Sequence, residues 1–370
     1  MANSTIPVTI LTGFLGSGKT TLLKRILNEK HGMKIAVIEN EFGEENIDNE
    51  ILVQDSQEQI IQMSNGCICC TIRGDLARVL GDLAQQKRDG KLDFDRVVIE
   101  TTGLANPGPV AQTFFMDNEI ADEFLLDAII TLVDAKHGNH QLDEHEVVQR
   151  QVGFADRLFI TKADLVDEKV LEDLRHRLLH MNPRAQIRQV NFGEADIKEV
   201  FDLRGFNLNA KLEIDPDFLA EDDHDHDHAH THAHAHDDHG HTHDHDDCDH
   251  DHGKCNHEGH DHGHHHHHAH HDDKIKSFVY RSDRPFDPNR LEDFLGGILQ
   301  IYGERLLRYK GVLYMKGVDR KVVFQGVHQM MGSDLAAKWL PVEKKGSKMV
   351  FIGIELPQDL ITDGLDACLA

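Results

Sequence analysis

The chain has 370 residues, only six cysteines and a formal net charge of −26 with histidine neutral. So few cysteines in so long a chain argue against a disulfide framework, and the acidic balance argues against nucleic acid and anionic membranes as partners. No apolar run approaches the roughly 18 residues of a membrane-spanning helix, and the first residues lack the pattern of a signal peptide. We therefore expect a cytoplasmic protein with reduced thiols and, from its length, two domains.

The first 200 residues alternate apolar, β-like runs with segments of helical periodicity. The predicted strands lie at residues 8–12, 34–39, 96–100, 128–134, 158–161 and 185–191. Segments between them, such as 20–28 and 168–180, repeat apolar residues at helical spacing. This pattern predicts an α/β domain over residues 1–220, with a mostly parallel, doubly wound sheet covered by helices on both faces. We expect the strand at 34–39 to border the first strand.

A phosphate-binding loop follows the first strand. The stretch "GFLGSGKT" matches G-x-x-x-x-G-K-[ST] and opens a helix, which is the context that this motif requires. Backbone amides of such a loop surround phosphate oxygens at a helix N-terminus. Lys19 would reach the β- and γ-phosphates, and the Thr20 hydroxyl would bind Mg²⁺. The expected nucleotide contacts of this segment are Gly13, Gly16, Ser17, Gly18, Lys19, Thr20 and Thr21.

An acidic segment, "IENEFGEENID", follows the second strand where a GTPase switch would lie. Its carboxylates Glu39, Glu41 and Glu44 are either oxygen ligands for a metal or a solvated acidic turn. We favour Glu39, with Glu44 as a further candidate, as a metal ligand.

Three of the six cysteines lie within four positions of "SNGCICCTIR": Cys67, Cys69 and Cys70. Thiolates at this spacing suit tetrahedral Zn²⁺ and leave a fourth position open for another ligand. The cysteines could instead be small buried hydrophobes or a redox pair with a spare thiol. Ligand number and spacing favour zinc. A helix is expected to begin near Arg73.

A second carboxylate near Mg²⁺ is expected at the end of a neighbouring strand. The stretch "RVVIETTG" places Glu100 there, followed by Gly103, whose amide could meet the γ-phosphate. Asp134, at the end of "AIITLVD", is the alternative. The predicted catalytic residues are Lys19, Thr20 and Glu100, with Thr20 and Glu100 as magnesium ligands.

The stretch "TKAD", residues 161–164, is similar to the N-K-x-D base motif of GTPases, with Thr161 in the first place. Asp164 would accept hydrogen bonds from the guanine N1–H and 2-amino group, and adenine offers no such donor pair. Lys162 would lie along the base plane. The nucleotide is therefore predicted to be GTP.

Residues 221–273 hold 23 of the 30 histidines, 16 acidic side chains and one lysine. We interpret this segment as a disordered linker, because nothing in it can build a core. Neutral imidazoles at H-x-H spacing offer many weak sites for Zn²⁺ or other divalent transition metals, which Cys248 and Cys255 could strengthen. A purification tag and a plain solvated spacer are the alternatives.

A small α+β domain is predicted over residues 274–370. The stretches "IKSFVYRS", "GVLYMKG", "KVVFQGVHQMM" and "KMVFIGIEL" are predicted strands, and "DPNRLEDFLGGILQIYGE" is a predicted helix that begins at Asp287 and Pro288. We expect one sheet with helices on one face. Cys368 is expected to be inert.

Taken together, these motifs resemble the CobW family of P-loop GTPases, in particular its bacterial YjiA-like branch. The resemblance rests on "TGFLGSGKTTLL", "IENEFGE", "NGCICC", "VIETTGLANPGPV", "TKAD", "LLRYKGVLY", "VVFQGV" and "MVFIGI". It places the family's C-x-C-C metal motif on Cys67, Cys69 and Cys70.

The resemblance implies a GTPase with GTP, Mg²⁺ and Zn²⁺ as cofactors. It also implies delivery of zinc to a client metalloprotein through the carboxy-terminal domain, and leaves a nucleotide- or metal-dependent homodimer open. The alternatives are a nickel or cobalt chaperone and a GTP-regulated zinc buffer or sensor without a client. A P-loop kinase is disfavoured by "TKAD".

Overall fold

The computed structural model describes residues 5–39, 72–206, 273–340 and 343–370. Predictions for "IENEFGEENID" beyond Glu39, for the three clustered cysteines and for the linker up to residue 272 lie outside these residues. No helix in the described ranges is long and apolar enough to cross a membrane.

The amino-terminal part contains one six-stranded sheet, as predicted. Its strands are β1 (Ile6–Gly13), β2 (Ile35–Glu39), β3 (Arg96–Glu100), β4 (Phe124–Asp134), β5 (Arg157–Thr161) and β6 (Gln186–Val190). They lie in the order β2-β3-β1-β4-β5-β6, and every pair is parallel. The carboxyl ends of all six strands therefore meet at one edge, where ligands of open α/β sheets bind.

The expected neighbour of the first strand was wrong. β3 lies between β1 and β2, since Val98 is in register with Thr9 on one side and with Val37 on the other. All three strands are buried and apolar, so their composition does not determine which of them are adjacent. The observed order places Glu39, at the end of β2, directly beside Glu100 at the end of β3.

Helices cover both faces of this sheet, which confirms the doubly wound prediction. They are α1 (Lys19–Asn28), α2 (Ile72–Arg88), α3 (Pro107–Met116), α4 (Asn118–Glu123), α5 (Gly138–Glu144), α6 (Glu146–Phe154), α7 (Glu168–Met181) and α8 (Ile197–Val200). Leu22 and Ile26 of α1 pack with Val98 and Phe159 on one face. Helices α2, α3, α6 and α7 belong to a larger apolar cluster on the other.

The carboxy-terminal part is an antiparallel sheet with two helices, which confirms the α+β prediction. Its elements are β7 (Ile275–Ser282), α9 (Pro288–Tyr302), β8 (Leu306–Leu313), β9 (Arg320–Val327), β10 (Met330–Lys338), β11 (Ser347–Ile354) and α10 (Gln358–Ala367). The strand order is β10-β9-β8-β11-β7. Asp287 caps α9 by accepting hydrogen bonds from the backbone of Asn289 and Arg290, as the Asp-Pro pair indicated.

Two strand boundaries differ from the prediction. The run 321–331 is two strands, because the chain turns at His328, whose φ is +54°; neither glycine nor proline occupies the turn tip, so the usual signal is missing. The strand predicted at 311–317 begins earlier, at Leu306. Helix α10 was not predicted.

The two faces of the carboxy-terminal sheet have different partners. Met349 and Phe351 of β11 pack in one apolar cluster with Leu295 of α9 and Ile361 of α10. Val350 and Ile352, which alternate with them, belong to the cluster of the amino-terminal sheet. The described residues of both parts fall within one compact unit, and β11 is buried on both of its faces, whereas the edge strand β10 is largely exposed.

Candidate functional site

The phosphate-binding loop lies at the carboxyl edge of the parallel sheet, between β1 and α1. Gly13 has φ +140°, and a Cβ there would lie 2.4 Å from the Leu132 carbonyl oxygen, so only glycine fits. Gly18, which precedes α1, has φ +96°, in the left-handed region that favours glycine. The glycines of the motif are thus required by backbone geometry at two of its positions.

Lys19 turns back over this loop. Its Nζ donates to the carbonyl oxygens of Gly13 at 2.9 Å and Phe14 at 3.2 Å. Burial lowers the pKa of Lys19, while the charge of Glu100 opposes that shift. The ammonium group is therefore held at the mouth of the loop, where a phosphate would replace the carbonyl oxygens as its partner.

The predicted pair of magnesium ligands is adjacent. Thr20 Oγ1 donates to Glu100 Oε1 at 2.8 Å, so a hydroxyl and a carboxylate converge from α1 and β3. Hard divalent cations such as Mg²⁺ take oxygen ligands of this kind. Asp134, the alternative, accepts instead from Lys162 Nζ at 2.6 Å and from the backbone of Lys136 at 2.8 Å. The geometry favours Glu100.

The loop after β3 touches the phosphate loop directly. A Cβ at Gly103 would lie 2.6 Å from the backbone nitrogen of Leu15. Thr101 Oγ1 donates to Thr12 Oγ1 at 2.8 Å, which ties the start of this loop to β1. Gly103 is thus positioned beside the phosphate loop, and its contact to a γ-phosphate stays a prediction.

The "TKAD" residues lie on the other side of the phosphate loop. Thr161 Oγ1 donates to the Ser17 carbonyl oxygen at 2.9 Å, and Lys162 Nζ donates to that of Gly16 at 2.9 Å. Lys162 has φ +57°, and Asp164 is exposed to solvent. This arrangement suits a base that stacks on Lys162 and reaches Asp164.

Two positioning residues were missed by sequence reasoning. Asn191 Oδ1 accepts from the backbone of Ala163 at 3.1 Å and so supports the "TKAD" loop. Gln151, within α6, donates from Nε2 to the carbonyl oxygens of Gly103 at 3.1 Å and Ala105 at 3.0 Å. Neither residue belongs to a motif, and no sequence signal distinguishes them from ordinary polar residues.

The predicted zinc ligands lie outside the described residues, apart from Glu39. Glu39 is half-buried and adjoins Glu100 across the β2–β3 pair. Cys67, Cys69, Cys70, Glu41 and Glu44 lie in the range 40–71. Within residues 5–39, 72–206, 273–340 and 343–370, no three His, Cys, Asp or Glu side chains cluster as a metal site.

Comparison with known families gives two matches. Residues 7–189 match the CobW/HypB/UreG nucleotide-binding domain, and residues 275–369 match the Cobalamin synthesis protein cobW C-terminal domain.

Individual relatives match over nearly the whole chain. The zinc chaperone YjiA of Escherichia coli is 38% identical over 359 residues, which cover 96% of each protein. The zinc chaperone CobW of Pseudomonas aeruginosa is 32% identical over 99% of this chain and 92% of its own. The zinc-regulated GTPase metalloprotein activator 1 of Schizosaccharomyces pombe is 39% identical over 54% of this chain and 50% of its own.

Solved structures show the same similarity. The crystal structure of the zinc-bound YjiA GTPase from E. coli superposes with a TM-score of 0.73 at 33% identity, and the match covers 99% of this chain and 100% of that one. A zinc-bound triple mutant of YjiA, with one glutamate and two cysteines replaced by alanine, superposes equally well.

Proposed function

Since the chain belongs to the CobW family of P-loop GTPases, we propose that it is a GTP-hydrolysing zinc chaperone. It binds zinc at Cys67, Cys69 and Cys70 and transfers the ion to a client metalloprotein. Its full-length relatives include zinc chaperones from two bacteria, and membership brings GTP as substrate and Mg²⁺ as cofactor.

The observation that carries the nucleotide part of the proposal is the contact between Thr20 and Glu100. These side chains, 2.8 Å apart, would both bind Mg²⁺, which neutralises charge that develops on the phosphates. The remaining contacts to the nucleotide would come from side chains of the protein. Lys19 would exchange the Gly13 and Phe14 carbonyl oxygens for phosphate oxygens, and Asp164 would select guanine.

The link between nucleotide and zinc rests on the β2–β3 pair. Glu39, the proposed fourth zinc ligand, and Glu100, the proposed magnesium ligand, occupy partner positions on adjacent strands. Bound nucleotide can therefore act on the zinc site over the spacing of one strand pair, about 5 Å. A near-complete change between holding and releasing states requires affinities that differ by about 10⁴-fold.

We assign client binding to the carboxy-terminal domain, and homodimerisation dependent on nucleotide or metal belongs to the same proposal.

The YjiA triple mutant, in which one glutamate and two cysteines are replaced by alanine, also binds zinc. That protein therefore holds zinc without those three side chains. Zinc stoichiometry in this chain must therefore be resolved site by site.

The test is a competition titration of zinc against a calibrated chelator, with the protein in its GTP-analogue and GDP forms. We expect affinities that differ by about tenfold or more, since a lost ligand weakens a tight site. Cys69→Ala should abolish the difference. Cys368→Ala is the matched control, because Cys368 is buried and donates to the carbonyl oxygens of Arg290 and Gly364; the difference should survive there. Equal affinities in both nucleotide forms would favour a zinc buffer over a chaperone.

A further inference from the structure

Gln151 is a buried side chain that the nucleotide chemistry does not use. It is fully inaccessible to solvent, and its Nε2 donates to two carbonyl oxygens of the loop after β3, those of Gly103 and Ala105. Both partners are acceptors, which fixes the orientation of the carboxamide. One side chain of α6 thus holds the loop that is expected to contact the γ-phosphate.

The other end of this carboxamide differs. Gln151 Oε1 is buried and accepts no hydrogen bond from the residues that the structure describes, although buried polar atoms are nearly always satisfied. The observed arrangement therefore satisfies only one side of the group. A second arrangement of the loop that presented an N–H to Oε1 would gain a hydrogen bond, so the contact is suited to a loop with two states.

The carboxyl end of α6, which follows Gln151, packs against the carboxy-terminal sheet. A Cβ at Gly153 would lie 2.8 Å from Leu307 Cδ1, and the Phe154 carbonyl oxygen accepts from Arg308 Nη1 at 2.9 Å. The Phe154 ring meets the His328 ring edge-on, with 5.2 Å between centroids. We therefore expect a displacement of α6 to shift the residues of the turn between β9 and β10.

The loop reaches the same turn by a second route. The loop leads directly into α3, and a Cβ at Gly108 in its first turn would lie 2.7 Å from His328 Nε2. His328 is itself buried, with Nδ1 3.2 Å from the Gly303 carbonyl oxygen. Its imidazole is thus in contact with the end of α6 and the start of α3, the two helices attached to the loop.

We propose that Gln151 is a positioning residue that couples the nucleotide-dependent state of the loop 101–106 to the β9–β10 turn of the carboxy-terminal domain through Phe154, Gly108 and His328. The inference rests on the proposed GTPase function and adds its route of regulation. Because coupling is reciprocal, a client bound at the carboxy-terminal domain would also change the affinity for GTP relative to GDP.

The test compares two buried glutamines of one helix. Gln151→Met keeps the length of the side chain and removes both hydrogen bonds to the loop. Gln149→Met is the matched control, since Gln149 is also buried but bonds to the Leu142 carbonyl oxygen and to the backbone of Lys274 and Ile275. Both variants lose hydrogen bonds and stability, and only the first loses contact with the loop.

We measure GTP hydrolysis and hydrogen exchange of residues 320–330 in GTP-analogue and GDP forms, with thermal unfolding as the control for folding. In the unaltered chain, exchange in 320–330 should differ between the two forms. Gln151→Met should remove that difference and lower kcat by about tenfold, the effect of losing hydrogen bonds made in one state. Gln149→Met should retain both the exchange difference and the kcat of the unaltered chain. His328→Gln should remove the exchange difference while leaving kcat unchanged.

Two outcomes overturn the inference while leaving the proposed function in place. One is active protein whose exchange in 320–330 is identical with GTP analogue and GDP. The other is an equal loss of activity in Gln151→Met and Gln149→Met, which would show a purely structural role. An unaltered chain that hydrolyses no GTP would instead remove the proposed function itself.

Discussion

At the scale of single residues, the choice of nucleotide is predicted to depend on Asp164. Asp164 is exposed and follows Lys162, which is held by Asp134 and by the Gly16 carbonyl oxygen. The lysine is thus held by groups of the protein itself, and we expect the Asp164 carboxylate to read the base.

Replacement of Asp164 tests this reading. Asp164→Asn should weaken GTP binding by about tenfold or more, because hydrogen bonds to a charged acceptor are lost. It should strengthen binding of xanthosine triphosphate, whose 2-oxo group suits an amide donor. Asp167→Asn is the control, since Asp167 caps α7 by accepting from the backbone of Val170 and asparagine caps equally well. Equal binding of ATP and GTP by the unaltered chain would contradict the guanine assignment.

His328 should make stability depend on pH. Burial lowers its pKa below the ordinary 6.5; Arg150 lowers it further, while hydrogen bonding to the backbone of Gly303 and Glu304 and the charge of Glu304 oppose the shift. The unfolded chain therefore binds more protons below pH 6.5, and stability is lost as the pH falls from there through the lowered pKa. Each unit of lowering corresponds to about 1.4 kcal/mol.

Urea unfolding at a series of pH values measures this contribution. His328→Gln should flatten the dependence below pH 6.5, the ordinary histidine pKa, while His180→Gln, at an exposed position of α7, should not. An unchanged slope in His328→Gln would show that other groups cause the acid sensitivity.

At the scale of elements, an ion pair is one of the contacts between the two parts of the chain. Arg308 of β8 pairs with Asp156 at 2.8 Å, both buried, and its guanidinium lies 3.9 Å from the Phe206 ring centroid. Burial of such a pair is costly to form, and removal of one partner leaves an unpaired charge.

Arg308→Met should therefore destabilise the fold by about 3–5 kcal/mol, and the double variant Arg308→Met with Asp156→Asn should recover part of the loss. Chemical denaturation of the three proteins measures both effects. Arg150→Met is the control: its pair with Glu146 is partly exposed, and such a pair contributes about 0–1 kcal/mol. A double variant no more stable than Arg308→Met alone would assign the loss to packing on Phe206.

Elements were predictable from sequence where one signal dominates. The strands β1 to β5 were found because buried strands are continuous apolar runs, whereas β6 is a mostly exposed edge strand with the sequence QIRQV. The Thr20–Glu100 contact was found because both residues end or begin elements at one sheet edge. The order of β2 and β3 depends on packing of equally apolar strands, and the turn at His328 has no glycine. Gln151 bonds to backbone groups far away in sequence, so no local pattern could reveal its position.

At the scale of the whole molecule, the histidine-rich segment joins the amino-terminal part of the chain to the carboxy-terminal part. Asp273, the last residue of the predicted linker, is held by contacts with Arg177. Asp273 is buried, and both of its oxygens accept from Arg177 of α7, at 3.0 Å and 3.2 Å from Nε. Arg177 also pairs with the half-exposed Asp143. The Asp273 carboxylate is thus buried against α7 and belongs to the folded structure.

Two variants that differ at this one residue separate metal storage from folding. Removal of 222–272 should leave GTP hydrolysis and one tight zinc equivalent, with loss of several weaker equivalents, because the H-x-H sites lie in that segment. Removal of 222–272 combined with Asp273→Ala should show the same metal binding but lower stability by about 3 kcal/mol, since Arg177 loses its buried partner and keeps the half-exposed Asp143 and the Asn139 carbonyl oxygen. Zinc titration counts the zinc equivalents bound, and thermal unfolding measures the stability.

If the removal of 222–272 abolished the tight site, zinc would be held by the histidine-rich segment and not by Cys67, Cys69 and Cys70. If the two variants melted alike, the Arg177–Asp273 pair would contribute nothing to the fold.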